Sequence, residues 1–101
     1  MKIPKTIKIG AHTYKISHRD EDGESDSRFG HCFPRNLVIY IDQRVPQSQQ
    51  EETLIHEVAH AIADQIRAFP NTDNGREDEE RVVQGLGHGI YQVLKDNDLL
   101  K

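Results

Sequence analysis

A chain of 101 residues is long enough for one folded domain and too short for two, so residues 1–101 are predicted to form a single domain. The formal net charge is −4 and the Lys and Arg residues are scattered, which argues against nucleic acid as the main partner. A single cysteine excludes an internal disulfide framework. The sequence has neither an apolar leader nor a run of about 18 apolar residues, which predicts a cytoplasmic protein without a membrane partner.

The first forty residues are predicted to supply the strands of a small sheet. "TIKIGAHTYKI" alternates apolar and polar residues on both sides of a turn at residues 10–12, which predicts a hairpin. Residues 17–30 are polar and acidic without either periodicity and indicate an exposed loop, of which 17–28 is a candidate lid. "NLVIYID", residues 36–42, is a continuous apolar run rich in β-branched side chains, and it predicts a third strand.

A first helix is predicted to follow this strand. Ser48 and Glu51 form a capping-box pattern after Pro46, and Pro70 disfavours helix beyond about Phe69. The apolar side chains that recur at helical spacing, and that we expect to be buried, are Leu54, Ile55, Val58, Ile62 and Ile66.

A second helix is predicted after the turn "NTDNG". Asn74 and Glu77 form a plausible cap pair, and the helix is expected to end at Asp96 or Asn97. Its apolar positions are Val82, Val83, Leu86, Ile90, Val93 and Leu94. Strands followed by two helices predict an α+β fold.

One segment of the first helix carries a metal-site pattern. Residues 56–60, "HEVAH", match H-E-x-x-H, and positions i and i+4 lie on one face of a helix, so His56 and His60 can ligate one ion. Glu57 is offset by about 100° from His56, so it can serve as general base without being a ligand. The alternative is a pair of solvated histidines, but the motif lies within a capped amphipathic helix, which is the context that metal binding requires.

A third ligand is expected from elsewhere, because two histidines alone hold zinc poorly. The longer motif H-E-x-x-H-x-x-G-x-x-H is absent, since positions 63 and 66 are Ala and Ile. The acidic start of the second helix offers Glu77, Asp78, Glu79 and Glu80. Glu80 is favoured because Gly87 shares its face and lets two helices approach closely, and Glu79 is the next choice. Favourable interaction with the helix dipole explains some of these four acids.

The stretches "TLIHEVAHAI" and "DEERVVQGLGHGIYQVLKDN" resemble the gluzincins, and in particular their smallest members and the small H-E-x-x-H proteins of phage and prophage genomes. The resemblance covers residues 52–97. It implies a zinc metallopeptidase in which Zn²⁺ is bound by His56, His60 and Glu80, with Glu57 as the general base.

The same resemblance implies a short, twisted antiparallel sheet of about three strands, packed on an active-site helix and a following glutamate helix. Residues 36–42 would then be the edge strand beside the cleft, where a peptide or protein substrate binds in an extended conformation. Larger gluzincins take an oxyanion-stabilising His or Tyr from a further domain. In this chain His88 and Tyr91 match that role by residue type only, and a plain helix histidine and a core-edge tyrosine are the alternatives.

A rival hypothesis is a latent or non-catalytic zinc-binding protein of the phage type, with a regulatory or interaction role. Some minimal gluzincins are latent, with a terminal segment lying in the cleft. Cys32 is either a thiolate that blocks the zinc in a latent form or a small buried side chain. Asp64 either orients a ligand imidazole or is solvated, and His12 and His31 are interpreted as loop residues.

Overall fold

The computed structural model describes residues 1–18 and 29–100 and arranges them in three layers. The strands are β1 (Thr6–Ile9), β2 (His12–Ser17), β3 (Gly30–Phe33) and β4 (Val38–Ile41), and the helices are α1 (Gln47–Gln65) and α2 (Asp73–Asp96). The predicted α+β class is confirmed, with four strands where about three were expected. The candidate lid falls mainly on residues 19–28, which lie outside the described part of the chain.

The strands form one mixed sheet in the order β1-β2-β4-β3. β1 and β2 form the predicted antiparallel hairpin, whose turn contains Gly10 with a positive φ of 58° that suits glycine. β4 also pairs antiparallel with β3, but it runs parallel to β2 with Ile16 beside Ile39. An antiparallel sheet had been predicted, but the observed sheet is mixed, because β2 and β4 are parallel.

The strand predicted to border the cleft lies inside the sheet. β4 has β2 on one side and β3 on the other, and its residues Ile39, Tyr40 and Ile41 are all buried. The assignment of residues 36–42 as the edge strand is therefore wrong, and β3 occupies the edge. A continuous apolar run is typical of an interior strand, which explains why "NLVIYID" lies in the middle.

Two histidines that were interpreted as loop residues lie in strands. His12 opens β2, and His31 lies in β3, where its ring stacks on Phe33 with the centroids 4.4 Å apart. β3 was not predicted, because its four residues follow a polar run and lack a clear alternation of apolar and polar side chains. Pairing with β4, and not local propensity, defines this strand.

The start of α1 differs from the predicted capping box. Pro46 is the N-cap without a side-chain hydrogen bond, and Ser48 lies inside the first turn. Glu51 is buried and points inward, where it accepts hydrogen bonds from the Met1 ammonium at 3.1 Å and from the Tyr91 hydroxyl at 3.0 Å. The predicted partner of Ser48 therefore has a structural role in the interior.

The end of α1 and the N-cap of α2 lie at residues other than the predicted ones. Arg67 has a positive φ of 52°, so α1 ends before the predicted Phe69. The Thr72 hydroxyl accepts a hydrogen bond from the Gly75 N–H at 3.0 Å, which makes Thr72 and not Asn74 the cap of α2. The C-terminal end of α2 agrees with the prediction.

Helix α1 is the central layer, since it contacts β1, β3 and β4 on one side and α2 on the other. At its C-terminal end the Gln65 side-chain amide donates a hydrogen bond to the Ile9 carbonyl at 2.7 Å, which ties α1 to the hairpin. The core between the sheet and α1 consists of Ile9, Tyr14, Ile16, Ile39, Ile41, Leu54 and Ala61.

Helix α2 packs on α1 alone among the described elements. Of its predicted apolar positions only Val83 is fully buried, and on α1 the expected burial of Ile62 and Ile66 is also wrong, since both side chains are exposed. A helix that contacts one neighbour needs only a narrow buried face, which explains the excess of exposed apolar residues. In the described part of the chain, neither helix has the length and apolar character needed to cross a membrane.

Candidate metal centre

The two histidines of the H-E-x-x-H motif face a cleft of about 960 Å³ that α1, α2 and β3 line together. His56 and His60 lie one turn apart on α1, with their ring centroids 4.9 Å apart and the rings inclined by 67°. Their side chains are 25% and 16% exposed. They are therefore accessible from the cleft and are not solvated surface residues.

Glu80 reaches both imidazoles from α2. One carboxylate oxygen lies 3.2 Å from His56 Nε2, and the other lies 3.0 Å from His60 Nε2. One ligand atom from each residue can be chosen so that all three lie within 4.8 Å of one another. A tetrahedral zinc with bonds of about 2.0–2.1 Å separates its ligand atoms by roughly 3.3 Å, so this donor set suits such an ion.

In the described ranges 1–18 and 29–100, these three residues are the one group of three or more His, Cys, Asp or Glu side chains with a spacing that could hold a metal. Two imidazoles and a carboxylate form the donor set of several catalytic zinc sites. The structure thus brings together the three side chains that the sequence selected.

Glu79, the second choice for the third ligand, contacts the other nitrogen of His60. Its carboxylate accepts a hydrogen bond from His60 Nδ1 at 2.7 Å, so Nε2 is the ring nitrogen that faces Glu80. A histidine that ligates a metal usually donates its other N–H to such a partner. The sequence analysis considered Asp64 for this orienting role, but Asp64 is exposed at the edge of the cleft.

Two glycines lie where α2 and β3 come close to α1. Gly87 of α2 is buried against His56, and a Cβ added at Gly87 would lie 3.5 Å from His56 Cα, in ordinary van der Waals contact. A Cβ added at Gly30 of β3 would lie 2.4 Å from Thr53 Cγ2 and 2.7 Å from the Tyr40 carbonyl oxygen. The expected close approach at Gly87 is present, and Gly30 is a second such position that the sequence analysis missed.

Glu57 is buried, and it lines the same cleft next to His56. Its side chain packs beside Gly30, because Glu57 Cγ lies 3.5 Å from the position that a Cβ would take there. The base of this side chain thus lies between α1 and β3, and Glu57 is not one of the three residues whose ligand atoms converge.

The electrostatics of the cleft favour neutral imidazole and neutral thiol. Burial is the main cause that lowers the pKa of His56, and the neighbouring His60 lowers it further, although Glu80 opposes both. Burial also raises the pKa of Cys32 to about 12, with a further contribution from the Glu57 charge. Cys32 is therefore a protonated, half-buried thiol at neutral pH, and it is not part of the ligand group that His56, His60 and Glu80 form among the described residues.

The two residues considered for oxyanion stabilisation lie in different places. Tyr91 is buried, and its hydroxyl donates to Glu51, outside the cleft lining. It is therefore a core-edge tyrosine. His88 is exposed and lines the cleft, with Nδ1 3.4 Å from a Glu52 carboxylate oxygen.

A protein family matches most of the chain. Residues 6–98 match the family Peptidase_M78, the IrrE N-terminal-like domain. No curated protein and no solved structure matches the chain significantly. The match agrees with the resemblance to small H-E-x-x-H zinc metallopeptidases, whereas the likeness to phage proteins stays a prediction.

Proposed function

Because the chain belongs to the Peptidase_M78 family of IrrE N-terminal-like domains, we propose that it is a zinc-dependent peptidase of the gluzincin type. The observation that carries the proposal is the convergence of His56, His60 and Glu80 within 4.8 Å, beside the buried Glu57. A family of peptidases and this donor set support the same reaction class.

The residues present fit a zinc ion. His56 and His60 would each supply Nε2, and Glu80 would supply a carboxylate oxygen. Mixed imidazole and carboxylate ligands favour zinc over magnesium or calcium, which prefer oxygen ligands alone. When bound, zinc supplies a Lewis acid that polarises a carbonyl group and lowers the pKa of water to about 7.

The protein's own residues would move the proton and hold the geometry. Glu57 takes a proton from the attacking water and delivers it to the leaving amine, which is the role of a general base that then acts as an acid. Glu79 holds the proton on His60 Nδ1 and thereby fixes the orientation of that ring.

The substrate is proposed to be a peptide in extended conformation that adds to β3. Among the described residues β3 pairs with β4 alone, and Gly30 and His31 of β3 line the cleft beside the histidines. Backbone hydrogen bonds to such an edge bind a peptide with little dependence on its side chains. This edge takes the role that the sequence analysis had given to residues 36–42.

Replacing Glu57 by Gln tests the general base. Glu57→Gln removes the proton acceptor and keeps the shape of the side chain, so we expect normal zinc content and a loss of turnover of about 10²–10⁴-fold on a peptide library. The matched control is Glu52→Gln, which changes another carboxylate that lines the cleft but lies outside the donor set. If Glu57→Gln cleaves as well as the parent, the assignment is wrong.

A second candidate function is a zinc protein that does not cleave peptides. It is favoured by the position of Tyr91, whose hydroxyl is engaged by Glu51 and cannot stabilise an oxyanion in the cleft. Incubation of the zinc-loaded chain with unfolded casein, with and without a chelator, separates the two candidates. Cleavage that the chelator abolishes supports the peptidase. Stoichiometric zinc without any cleavage, even after removal of residues 96–101, supports the second candidate.

A further inference from the structure

Helix α2 carries an exposed apolar face that nothing in the described chain covers. Its side chains are between 40% and 58% exposed, although all are aliphatic. We call this face the α2 stripe, and it consists of Val82, Leu86, Ile90 and Val93. At about 100° per residue these four positions span one side of the helix. None of them lines the cleft, so the stripe is separate from the candidate metal centre.

Two glycines in the same helix make this face uneven. A Cβ added at Gly85 or Gly89 would meet nothing within 4 Å, so neither glycine is required by packing inside the chain. Glycine in the interior of a helix is unfavourable relative to alanine, so packing inside the domain does not account for either residue. Gly89 lies between Leu86 and Val93 along the stripe and leaves a notch beside them.

We propose that the α2 stripe pairs with the α2 stripe of a second copy of this chain, with the two helices antiparallel. Three residues of the stripe and the neighbouring Gly89 lie at positions 82, 86, 89 and 93, which are separated by four, three and four residues. This spacing is the same in both directions. An antiparallel pair centred between residues 87 and 88 therefore places Leu86 of each copy opposite Gly89 of the other. It also places Val82 opposite Val93, so that large side chains meet a notch or a medium-sized partner.

The charges on α2 favour the antiparallel arrangement over a parallel one. The first part of the helix is acidic, with Asp73, Glu77, Asp78, Glu79 and Glu80. A parallel pair would bring these acids of the two copies together, whereas an antiparallel pair moves them apart and aligns the helix dipoles favourably. The same register brings Arg81 of each copy to nearly the same height as Asp96 of the other. Arg81 already pairs with Asp78, but that pair is exposed and therefore weak, so Arg81 can exchange it for Asp96 of the other copy.

A two-fold axis between the helices closes the assembly at two copies, which is the commonest symmetry of soluble oligomers. The cleft residues of α2, such as Glu80 and His88, lie outside the stripe, so the metal centre stays accessible in the pair. The inference therefore does not depend on the proposed peptidase activity.

The mass of the full chain in solution tests the pairing. We expect light scattering and sedimentation over a concentration series to show twice the chain mass of 11.6 kDa at the upper end. Leu86→Gln should raise the dissociation constant at least about tenfold, since it removes a central apolar contact. The matched control is Leu99→Gln, which changes a leucine of similar exposure, 63% against 58%, outside the stripe.

Gly89→Gln is a second variant that keeps the test valid if Leu86→Gln were to unfold. Its side chain enters open space in the single chain but fills the notch that Leu86 of the other copy needs. We therefore expect a chain that is folded by circular dichroism and monomeric by light scattering. A parent that stays monomeric at every concentration overturns the inference, as do equal effects of Leu86→Gln and Leu99→Gln. Assemblies larger than a dimer overturn the two-fold arrangement.

Disulfide trapping tests the direction of the helices. In a Cys32→Ser background, a mixture of Val82→Cys and Val93→Cys chains should cross-link as a heterodimer, because these positions face each other. Either variant alone should not, since equal positions would lie about 16 Å apart along the helices, beyond the roughly 7 Å limit for a disulfide. Efficient cross-linking of each variant with itself would show a parallel pair, and no cross-linking in any mixture would exclude the interface.

Discussion

The two helices of this protein differ in how they are held, although both contribute to one site. α1 has 19 residues and lies between the sheet and α2, and it buries polar as well as apolar side chains. α2 has 24 residues but packs on α1 alone, with buried positions at Gly75, Val83, Gly87 and Tyr91. The motif residues are thus supported from two sides, whereas Glu80 is positioned by a single helix contact. The layer that is contacted on both sides therefore carries both histidines of the candidate metal centre.

A matched pair of leucines tests this difference most strongly. Leu54→Ala in α1 removes a side chain that is 4% exposed and should lower the free energy of unfolding by about 2–5 kcal/mol. Leu86→Ala in α2 removes one that is 58% exposed and should change it by less than about 0.5 kcal/mol when measured on the monomer. Chemical denaturation measures both values. Equal losses at the two positions would contradict the layered arrangement.

Zinc should reduce the difference in stability between the two helices, because its proposed ligands come from both. At a free zinc concentration of about 100 times the dissociation constant, we expect the folded state to gain about 2.7 kcal/mol. The thermal midpoint should rise, and hydrogen exchange should slow most in the first half of α2. His60→Ala should abolish the effect. A zinc effect that survives this substitution would place the metal elsewhere.

Two glycines compare a crowded position beside α1 with an open position on α2. Gly30→Ala should cost about 1–3 kcal/mol, because the new methyl group would press on Thr53 and on the Tyr40 backbone. Gly89→Ala should instead stabilise the monomer by up to about 1 kcal/mol, since its methyl group meets nothing and alanine favours helix. Opposite signs in thermal unfolding are the expected result, and a loss at both positions would show that α2 is more constrained than its contacts indicate.

A further prediction concerns the carboxylate that contacts His60 Nδ1. Glu79→Gln should weaken zinc binding about 10–100-fold without abolishing it, because the amide replaces a charged acceptor with a neutral one. Competition with a chromogenic chelator measures the affinity. Glu77→Gln is the control, as it changes an exposed acid of the same helix. If the two variants bind zinc alike, the contact has no role in the metal centre.

The part of the site that depends on local geometry was predictable from the sequence. Spacing of four residues places His56 and His60 on one face of any helix, and Gly87 indicated where a second helix could approach. Glu80 followed from that approach, and the structure does bring it to both imidazoles. The contact between Glu79 and His60 depends on the position of α2 along α1, which no local pattern fixes.

The parts that depend on distant pairing were not predictable in the same way. β3 is a strand because β4 lies beside it, and "GHCF" alone has little strand character. The same pairing places residues 36–42 in the interior of the sheet, whereas the prediction had placed them at its edge. Burial of Ile62 and Leu86 was overestimated because helical periodicity identifies an apolar face but not the element that covers it. The capping box failed because Glu51 had partners far away in the sequence.

The hydrogen bond between Gln65 and Ile9 has a consequence for the orientation of the whole helix. Together with Glu51 near the other end, it prevents α1 from rotating about its own axis. With side chains about 5–6 Å from that axis, a rotation of roughly 10° would displace both imidazoles by about 1 Å, a shift large enough to impair a reaction about 100-fold. The alignment of the motif is therefore supported by anchors near the helix ends, at residues that do not line the cleft.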